Sequence, residues 1–382
     1  MLSYDLTPEQ EMLRKTVRDF AEKEIKPIAQ KLDEKEEFSY DLVTKMGEMG
    51  FFGVTVSPDY GGQGLDILSY ILIVEELARV DGCQAATVAA ENGLGIGPIY
   101  NFGSKQQREK YLPDLCSGKK LWGFGLTEPN AGSDAGNSQT RGELNHGKWM
   151  INGSKIFITN AASKVTAGVT VQCVTGGSSE KKEISCVIVE AGTPGFTARE
   201  MHHKMTWRSS NTGELYFDNV RVPEENLLGK KGDGYRQMLA TLDSGRLAIA
   251  AMGLGGAQGA YEAALKYAHE RKTFGSLLCK HQTIAFKLAD MAMEIEIART
   301  FLYKACWLKD QGRPFKKEAA MAKLYTSEMM GRVTDAAVQI HGGYGLMEEY
   351  PVAKFYRDQR LLEIGEGTSE VQRIVISREI GC

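Results

Sequence analysis

Trp149-Met150-Ile151-Asn152-Gly153-Ser154-Lys155-Ile156-Phe157-Ile158 is where the chain changes character. Two apolar runs flank an Asn-Gly pair, a strong short-range signal for a β-hairpin with a tight turn. On either side, Trp122–Leu126, Val165–Val174, Glu183–Val189, Phe196–Met201 and Thr212–Phe217 read as further strands. Residues 121–231 are therefore predicted to form a central β domain, a barrel or sandwich.

Outward from that domain, both flanks read as helical. Residues 1–120 open at Thr7-Pro8-Glu9-Gln10, a hydroxyl cap with proline in the first turn and glutamine after it. Met12, Leu13, Val17, Phe20, Ala21, Ile25 and Ile28 follow at helical spacing, and Pro27 is expected to kink or end that helix. Further helices are predicted over Asp41–Met49, Ile67–Val80, Ala85–Phe102 and Ser104–Leu115. Residues 232–382 carry long helices over Met238–Arg271, Gln282–Asp310, Lys316–Ile340 and Ser369–Ile380. The stripe Ile284, Leu288, Met291, Ile295, Ala298, Leu302 and Ala305 suits an antiparallel four-helix bundle.

The composition excludes several classes. Of 382 residues, 46 are Lys or Arg and 49 Asp or Glu, a net charge of −3 that argues against an electrostatic nucleic-acid binder. No apolar run is long enough to span a membrane. The first residues, MLSYDLTPEQEMLRK, lack the apolar core of a secretory leader. Seven scattered cysteines form no C-x-x-C pair, so neither zinc nor a disulfide framework is expected, and a reducing cytoplasm is the simplest setting. The histidines show no metal-ligand spacing. Glycine is in excess, with 42 residues. Gly253-Leu254-Gly255-Gly256-Ala257-Gln258-Gly259 imitates a dinucleotide fingerprint but lies inside a helical segment, where close helix packing explains it better.

Four separated stretches define the chemistry. They are Leu126-Thr127-Glu128-Pro129-Asn130-Ala131-Gly132-Ser133-Asp134, Arg271-Lys272-Thr273-Phe274-Gly275, Gln339-Ile340-His341-Gly342-Gly343-Tyr344-Gly345 and Glu366-Gly367-Thr368-Ser369-Glu370. In this order and at these separations the chain resembles the acyl-CoA dehydrogenase family along essentially its whole length. The resemblance implies the helical, β, helical-bundle order read above. It also implies bound FAD, a homotetramer, a role in fatty acid metabolism, and electron-transferring flavoprotein as the partner that reoxidises the flavin.

It implies site residues as well. Glu366 would be the carboxylate that removes the α-proton of an acyl-CoA thioester while hydride passes to the flavin. Relatives that place the base on the long helix would have it where Gly245 stands here, and glycine cannot serve. Leu126, Thr127, Ser133, Phe157 and Thr159 would contact the flavin, and Arg271, Phe274 and Gln282 the far half of a neighbouring subunit's FAD. Gln339, Gly342, Gly343, Thr368 and Ser369 would meet phosphate and ribityl oxygens. Ser133, Asp243, Arg246, Gly365 and Gly367 match substrate positions, although Asp243 and Arg246 also suit a plain helical ion pair.

Three departures from the family pattern bear on the substrate: Gly365 where tyrosine is common, His281 where phenylalanine is common, and Ala90-Glu91-Asn92-Gly93 in a stretch usually neutral. Glu91 is expected to bring a second carboxylate to the acyl pocket and to assist catalysis. With Gly93 and Gly365 it suggests a short, wide acyl group such as cyclohexane- or cyclohexene-carboxyl-CoA. The alternative is a butyryl-CoA-type dehydrogenase, or an enoyl-CoA reductase working with electron-transferring flavoprotein.

Overall fold

The structure is a computed structural model that describes residues 5–178 and 181–382. Met1–Tyr4, the start of the stretch read for a leader, lie outside the described residues. Among the described residues, seven α-helices come first: α1 (Pro8–Phe20), α2 (Lys26–Lys35), α3 (Tyr40–Glu48), α4 (Ile67–Ala78), α5 (Gly82–Ala90), α6 (Gly97–Phe102) and α7 (Lys105–Cys116). Thr7 and Gln10 close a reciprocal capping box at the start of α1. Val17, Phe20, Ala21 and Ile25 are buried, whereas Met12 is 71% exposed. Five helical steps put Met12 about 140° around the helix from Val17, off the apolar face.

Two prolines shape this region in the same way. Pro27 and Pro98 cannot donate to the helical ladder. A π-helical turn stands before each, over Ala21–Ile25 and Glu91–Ile96. The residues just before the prolines, Lys26 and Gly97, donate to carbonyls five residues back, at Ala21 and Asn92. Helical structure thus continues past Pro27, through a π turn into α2, and the predicted Ala85–Phe102 helix becomes α5, a π turn and α6.

The strands are β1 (Leu121–Gly125), β2 (Arg141–Asn145), β3 (Lys148–Thr159), β4 (Thr166–Gly177), β5 (Lys182–Glu190), β6 (Phe196–Glu200), β7 (Thr212–Pro223) and β8 (Leu227–Leu228). They form one sheet in the order β6-β7-β3-β2-β4-β5-β8, with β1 parallel beside β4. Trp149, Ile151, Val169, Val171, Val187, Leu215 and Val220 build this domain's own core. The predicted hairpin at Asn152-Gly153 is absent, because β3 runs straight through it. Its register against β7 shifts between Ile151 and Gly153, and Gly153 has φ +146°. The Asn-Gly pair therefore lies opposite a β-bulge: two steps along β3 face three along β7, so the extra residue is in β7, at Asp218 and Asn219, while glycine at 153 is required because a Cβ there would stand 2.6 Å from Thr140 Oγ1. The true turn lies earlier, at His146 and Gly147, both with positive φ.

The C-terminal helices are α8 (Gly234–Glu270), α9 (Gln282–Asp310), α10 (Lys316–His341), α11 (Pro351–Leu362) and α12 (Ser369–Glu379). α8 is the central helix and packs on α4, α5, α9, α10 and α11. Its fingerprint-like glycines are packing points: a Cβ on Gly255 or Gly259 would lie 2.1 Å from the carbonyl oxygen of Glu75 or Arg79 on the α4 side. Five cysteines are buried, Cys279 is half-buried and Cys382 is exposed, and none is in a disulfide.

Candidate active site

The turn between α11 and α12 carries Glu366. Its φ is +52° and that of Gly367 +92°, so two successive left-handed residues reverse the chain. A non-glycine residue persists there only when its surroundings fix it. Lys323 Nζ donates to the Gly367 carbonyl at 2.7 Å, and Gln372 Nε2 donates to the same oxygen at 2.9 Å and to the Glu366 carbonyl at 3.3 Å. Thr368 caps α12 by accepting the Val371 N–H. Ser369 is buried, and its hydroxyl has no hydrogen-bond partner.

The Glu366 side chain points at α8. Its Oε2 is buried without a hydrogen-bond partner, and a Cβ on Gly245 would stand 2.0 Å from that atom. Glycine at 245 is what makes room for this carboxylate. Burial raises the Glu366 pKa to about 7, against the lowering influence of Lys323 and Arg246. A carboxyl tuned to that range is suited to take a proton at neutral pH. Tyr70 of α4 feels the Glu366 charge, and a Cβ on Gly93 would lie 3.6 Å from its hydroxyl.

Beside Gly245, Arg246 is buried and ion-paired with Asp243, while its Nε has no partner. The pair the spacing allowed is thus formed. Gly365 faces its own helix, since a Cβ there would meet the Leu361 side chain at 3.1 Å.

A second group gathers where β1 ends. Leu126 and Thr127 follow that strand, and the Thr127 carbonyl accepts Ile156 N–H of β3 at 3.0 Å. Beneath the loop, buried Lys155 donates to the Leu126 carbonyl at 3.1 Å and to Glu128 at 2.7 Å. Burial alone would raise Glu128, but the Lys155 charge and hydrogen bonds from Lys155, Ser138 and Gln139 hold it at about 2. Irregular register near Phe157, whose φ is +61°, turns its ring outward, 63% exposed, with Thr159 two residues on. The π turn at Glu91–Ile96 packs on both β1 and α8. Ser133 is exposed on the loop that follows the shelf.

A third group lies at the outer ends of α8, α9 and α10. The Arg271 guanidinium sits 5.6 Å from the Tyr344 ring centroid, which brings it to the Gly342–Gly343 turn. Phe274 is 100% exposed and edge-on to His281. Gln282 and Gln339 are exposed. Nothing lies within 4 Å of where a side chain would begin at Gly342 or Gly343, so backbone there is open to approach. Among the described residues, no hydrogen bond ties this group to Glu366 or to the shelf.

Glu91 departs from expectation. It is wholly buried and accepts Trp122 N–H at 2.9 Å and Asn160 Nδ2 at 3.4 Å, while its Oε1 is unpartnered. Burial, only partly offset by those two donors, raises it to about 8. The groups acting on Glu366 are Lys323 and Arg246, not Glu91. The structure therefore turns this side chain toward β1 rather than pairing it with Glu366. Sequence reading missed Lys323, Tyr70 and Lys155. Lys323 leaves a trace, since it breaks the otherwise small or apolar stripe Ala319, Ala322, Thr326, Met330 of α10.

A buried carboxylate of raised pKa and an exposed aromatic shelf stand on this helical–β–helical scaffold, and matches to known families identify the class as an oxidoreductase acting on CH–CH groups. Models of the acyl-CoA dehydrogenase N-terminal, middle and C-terminal domains match residues 7–119, 123–220 and 232–381. A probable acyl-CoA dehydrogenase of Bacillus subtilis, YngJ, is 50% identical over 380 residues, covering 99% of this chain and 100% of the relative. A short-chain specific acyl-CoA dehydrogenase of Clostridium acetobutylicum is 45% identical, covering 99% and 100%. Butyryl-CoA dehydrogenase from Megasphaera elsdenii superposes with TM-score 0.96 at 44% identity, covering 99% and 100%. So does a chain of the structure described as "Electron transferring flavoprotein of Acidaminococcus fermentans: Towards a mechanism of flavin-based electron bifurcation", with TM-score 0.96 at 43% identity and full coverage of both chains.

The chain belongs to the acyl-CoA dehydrogenase family. Its cofactor is FAD. The residues present fit that group: an exposed Phe157 ring beside the polar Leu126–Thr127 edge suits a flat heteroaromatic ring, and the open Gly342–Gly343 backbone suits close approach by phosphate or ribityl oxygens.

Proposed function

We propose that this enzyme oxidises a short, straight-chain acyl-CoA of the butyryl type to the enoyl-CoA, with Glu366 as the base. The observation that carries this is the buried, unpartnered Glu366 Oε2, raised to about 7 and given its place by Gly245. FAD, when bound, supplies the hydride acceptor for the β-hydrogen. Leu126, Thr127, Phe157 and Thr159 hold the flavin ring, with Ser133 at the mouth shared with substrate. Glu366 takes the α-proton as the thioester is polarised toward an enolate. Lys323 and Gln372 keep Glu366 and Gly367 in place. Asp243 and Arg246 steer the CoA, and Gly365 and Gly367 flank the acyl group.

Arg271, Phe274 and Gln282, with Gln339, Gly342 and Gly343, serve the far half of FAD across a homotetramer interface, and Thr368 and Ser369 meet its diphosphate. The full exposure of Phe274, with Phe286, Met293 and Ile297 exposed along α9, supports such a contact between copies. Electron-transferring flavoprotein is the electron acceptor, in fatty acid metabolism in the cytoplasm. No helix among the described residues is long and apolar enough to cross a membrane.

Glu91 is held by Trp122 N–H and Asn160 Nδ2 and is not among the charges acting on Glu366, which favours a role for Glu91 other than that of a second carboxylate at the base. The straight-chain reading is therefore preferred, and two of the relatives are named short-chain specific acyl-CoA dehydrogenase and butyryl-CoA dehydrogenase. An acyl-CoA panel tests it. Butyryl-CoA should turn over at least tenfold faster than cyclohexanecarboxyl-CoA, and the reverse order would restore the cyclic reading.

A further inference from the structure

We infer that Glu91 is a positioning residue for the flavin shelf, locking the strand that delivers Leu126 and Thr127 to the strand end that delivers Phe157 and Thr159. One carboxylate oxygen accepts from two donors, one within β1 and one just past the end of β3. Glu91 Oε2 accepts Trp122 N–H in β1, four residues before Leu126, and Asn160 Nδ2 just after Thr159 at the end of β3. Asn160 extends the clamp by donating to the Thr87 carbonyl in α5, and its own carbonyl accepts the Thr166 hydroxyl at the start of β4. The β1 register against β4 shifts between Leu121 and Trp122, so the strand is irregular at the residue Glu91 holds. The Trp122 ring is anchored separately, through Nε1 to Thr170 Oγ1 at 3.0 Å.

Glu91 opens the π turn that precedes Pro98, and that turn packs on β1. π turns of this kind are often found where a side chain is re-aimed for function. Glu91 is 0% exposed, its Oε1 is unpartnered, and a Cβ on Gly95 would stand 3.2 Å from that atom, so the carboxyl is enclosed by the turn it opens. Burial keeps it a neutral acid at neutral pH, so a glutamine amide carbonyl can replace it as acceptor.

This inference rests on the shelf being the flavin's seat, and the test separates the two. FAD dissociation constants, visible flavin spectra, kcat and KM are measured on the full-length holoenzyme and its variants. Glu91→Gln should keep FAD affinity and kcat within about threefold of wild type. Glu91→Ala leaves the buried Trp122 N–H without an acceptor, and should weaken FAD roughly tenfold and shift the flavin spectrum, with KM for acyl-CoA little changed. Should Glu91→Ala fail to fold, Asn160→Ala, which removes the other half of the clamp, should show the same loss. A Glu91→Gln enzyme with normal FAD binding and kcat down a hundredfold would make Glu91 a proton carrier and overturn the inference. Wild-type FAD affinity and spectrum in Glu91→Ala or Asn160→Ala would also overturn it. Thr127→Ala is the control on the seat: if it leaves flavin binding and spectrum unchanged, the shelf reading itself fails and the inference fails with it.

Discussion

Replacing Lys323 with methionine removes a positive charge from beside the proposed base while keeping the side chain's length. Two effects follow, and they can be separated by pH. The first is mechanical. Lys323 Nζ holds the Gly367 carbonyl at 2.7 Å, and a hydrogen bond to a charged group contributes about 1.5–3 kcal/mol. Gln372 donates to the same oxygen at 2.9 Å, so the turn keeps a donor and the net loss of stability should be no more than about 1–2 kcal/mol. Burial lowers Lys323 itself to about 8, and removing so poorly solvated a cation offsets part of that loss. The second effect is electrostatic. Lys323 is the foremost group opposing the burial that raises Glu366 to about 7. Without it the Glu366 pKa rises further, and a smaller fraction is ionised at any pH below its new value. A tenfold fall in that fraction corresponds to about 1.4 kcal/mol. In kcat/KM measured from pH 6 to 10, the acid limb of Lys323→Met should move to higher pH. Activity should fall about tenfold or more at the acid end and recover to within about threefold at the alkaline end. An acid limb at its wild-type position, or a loss equal at every pH, would refute the electrostatic coupling and with it the assignment of that limb to Glu366.

Other substitutions probe the same frame. Gly245→Ala places a Cβ about where Glu366 Oε2 now sits, so activity should fall at least tenfold although alanine favours the α8 helix by roughly 0.5–1 kcal/mol; unchanged kcat with butyryl-CoA would mean the carboxylate works from elsewhere. Lys155→Met strips the buried Glu128 of its cation and should cost about 3–5 kcal/mol, read as a lower Tm and weaker FAD retention. Glu128 is held at about 2, below the usual carboxylate range. Its contribution is therefore full above that range and lost as pH falls toward about 2, so wild type should lose more stability than Lys155→Met on acidification. Parallel acid-denaturation curves would contradict this.

Much of the architecture is legible in residue periodicity. The α9 stripe from Leu288 to Ala305 is buried as its spacing requires, and the small residues of α8 meet α4 rather than a nucleotide. The Asn-Gly pair misleads because glycine's freedom serves a two-residue hairpin and equally a residue inside a strand with positive φ and a crowded Cβ position; only pairing with β7, distant in sequence, shows that β3 continues. Pro27 and Pro98 announce a broken ladder, but that each break takes the form of a π turn depends on packing. The Glu366-Gly367-Thr368-Ser369 motif marks the proposed base. Lys323, 43 positions earlier, carries no motif and becomes visible only when α10 is laid beside the turn. Glu91 shows the converse limit. A carboxylate can be seen in a sequence, but the direction it faces is set by the π turn and by two strands that bring donors to it.

The central claim is that Glu366 is the group that starts oxidation of an acyl-CoA on this scaffold. Anaerobic mixing of the FAD-loaded enzyme with butyryl-CoA, followed through the visible absorbance of the flavin, tests it most directly. Wild type should bleach rapidly, whereas Glu366→Gln, with its flavin spectrum and FAD content intact, should bleach at least a thousandfold more slowly, on the order of the loss expected when a general base is removed. Bleaching of Glu366→Gln at a rate near wild type would contradict the account.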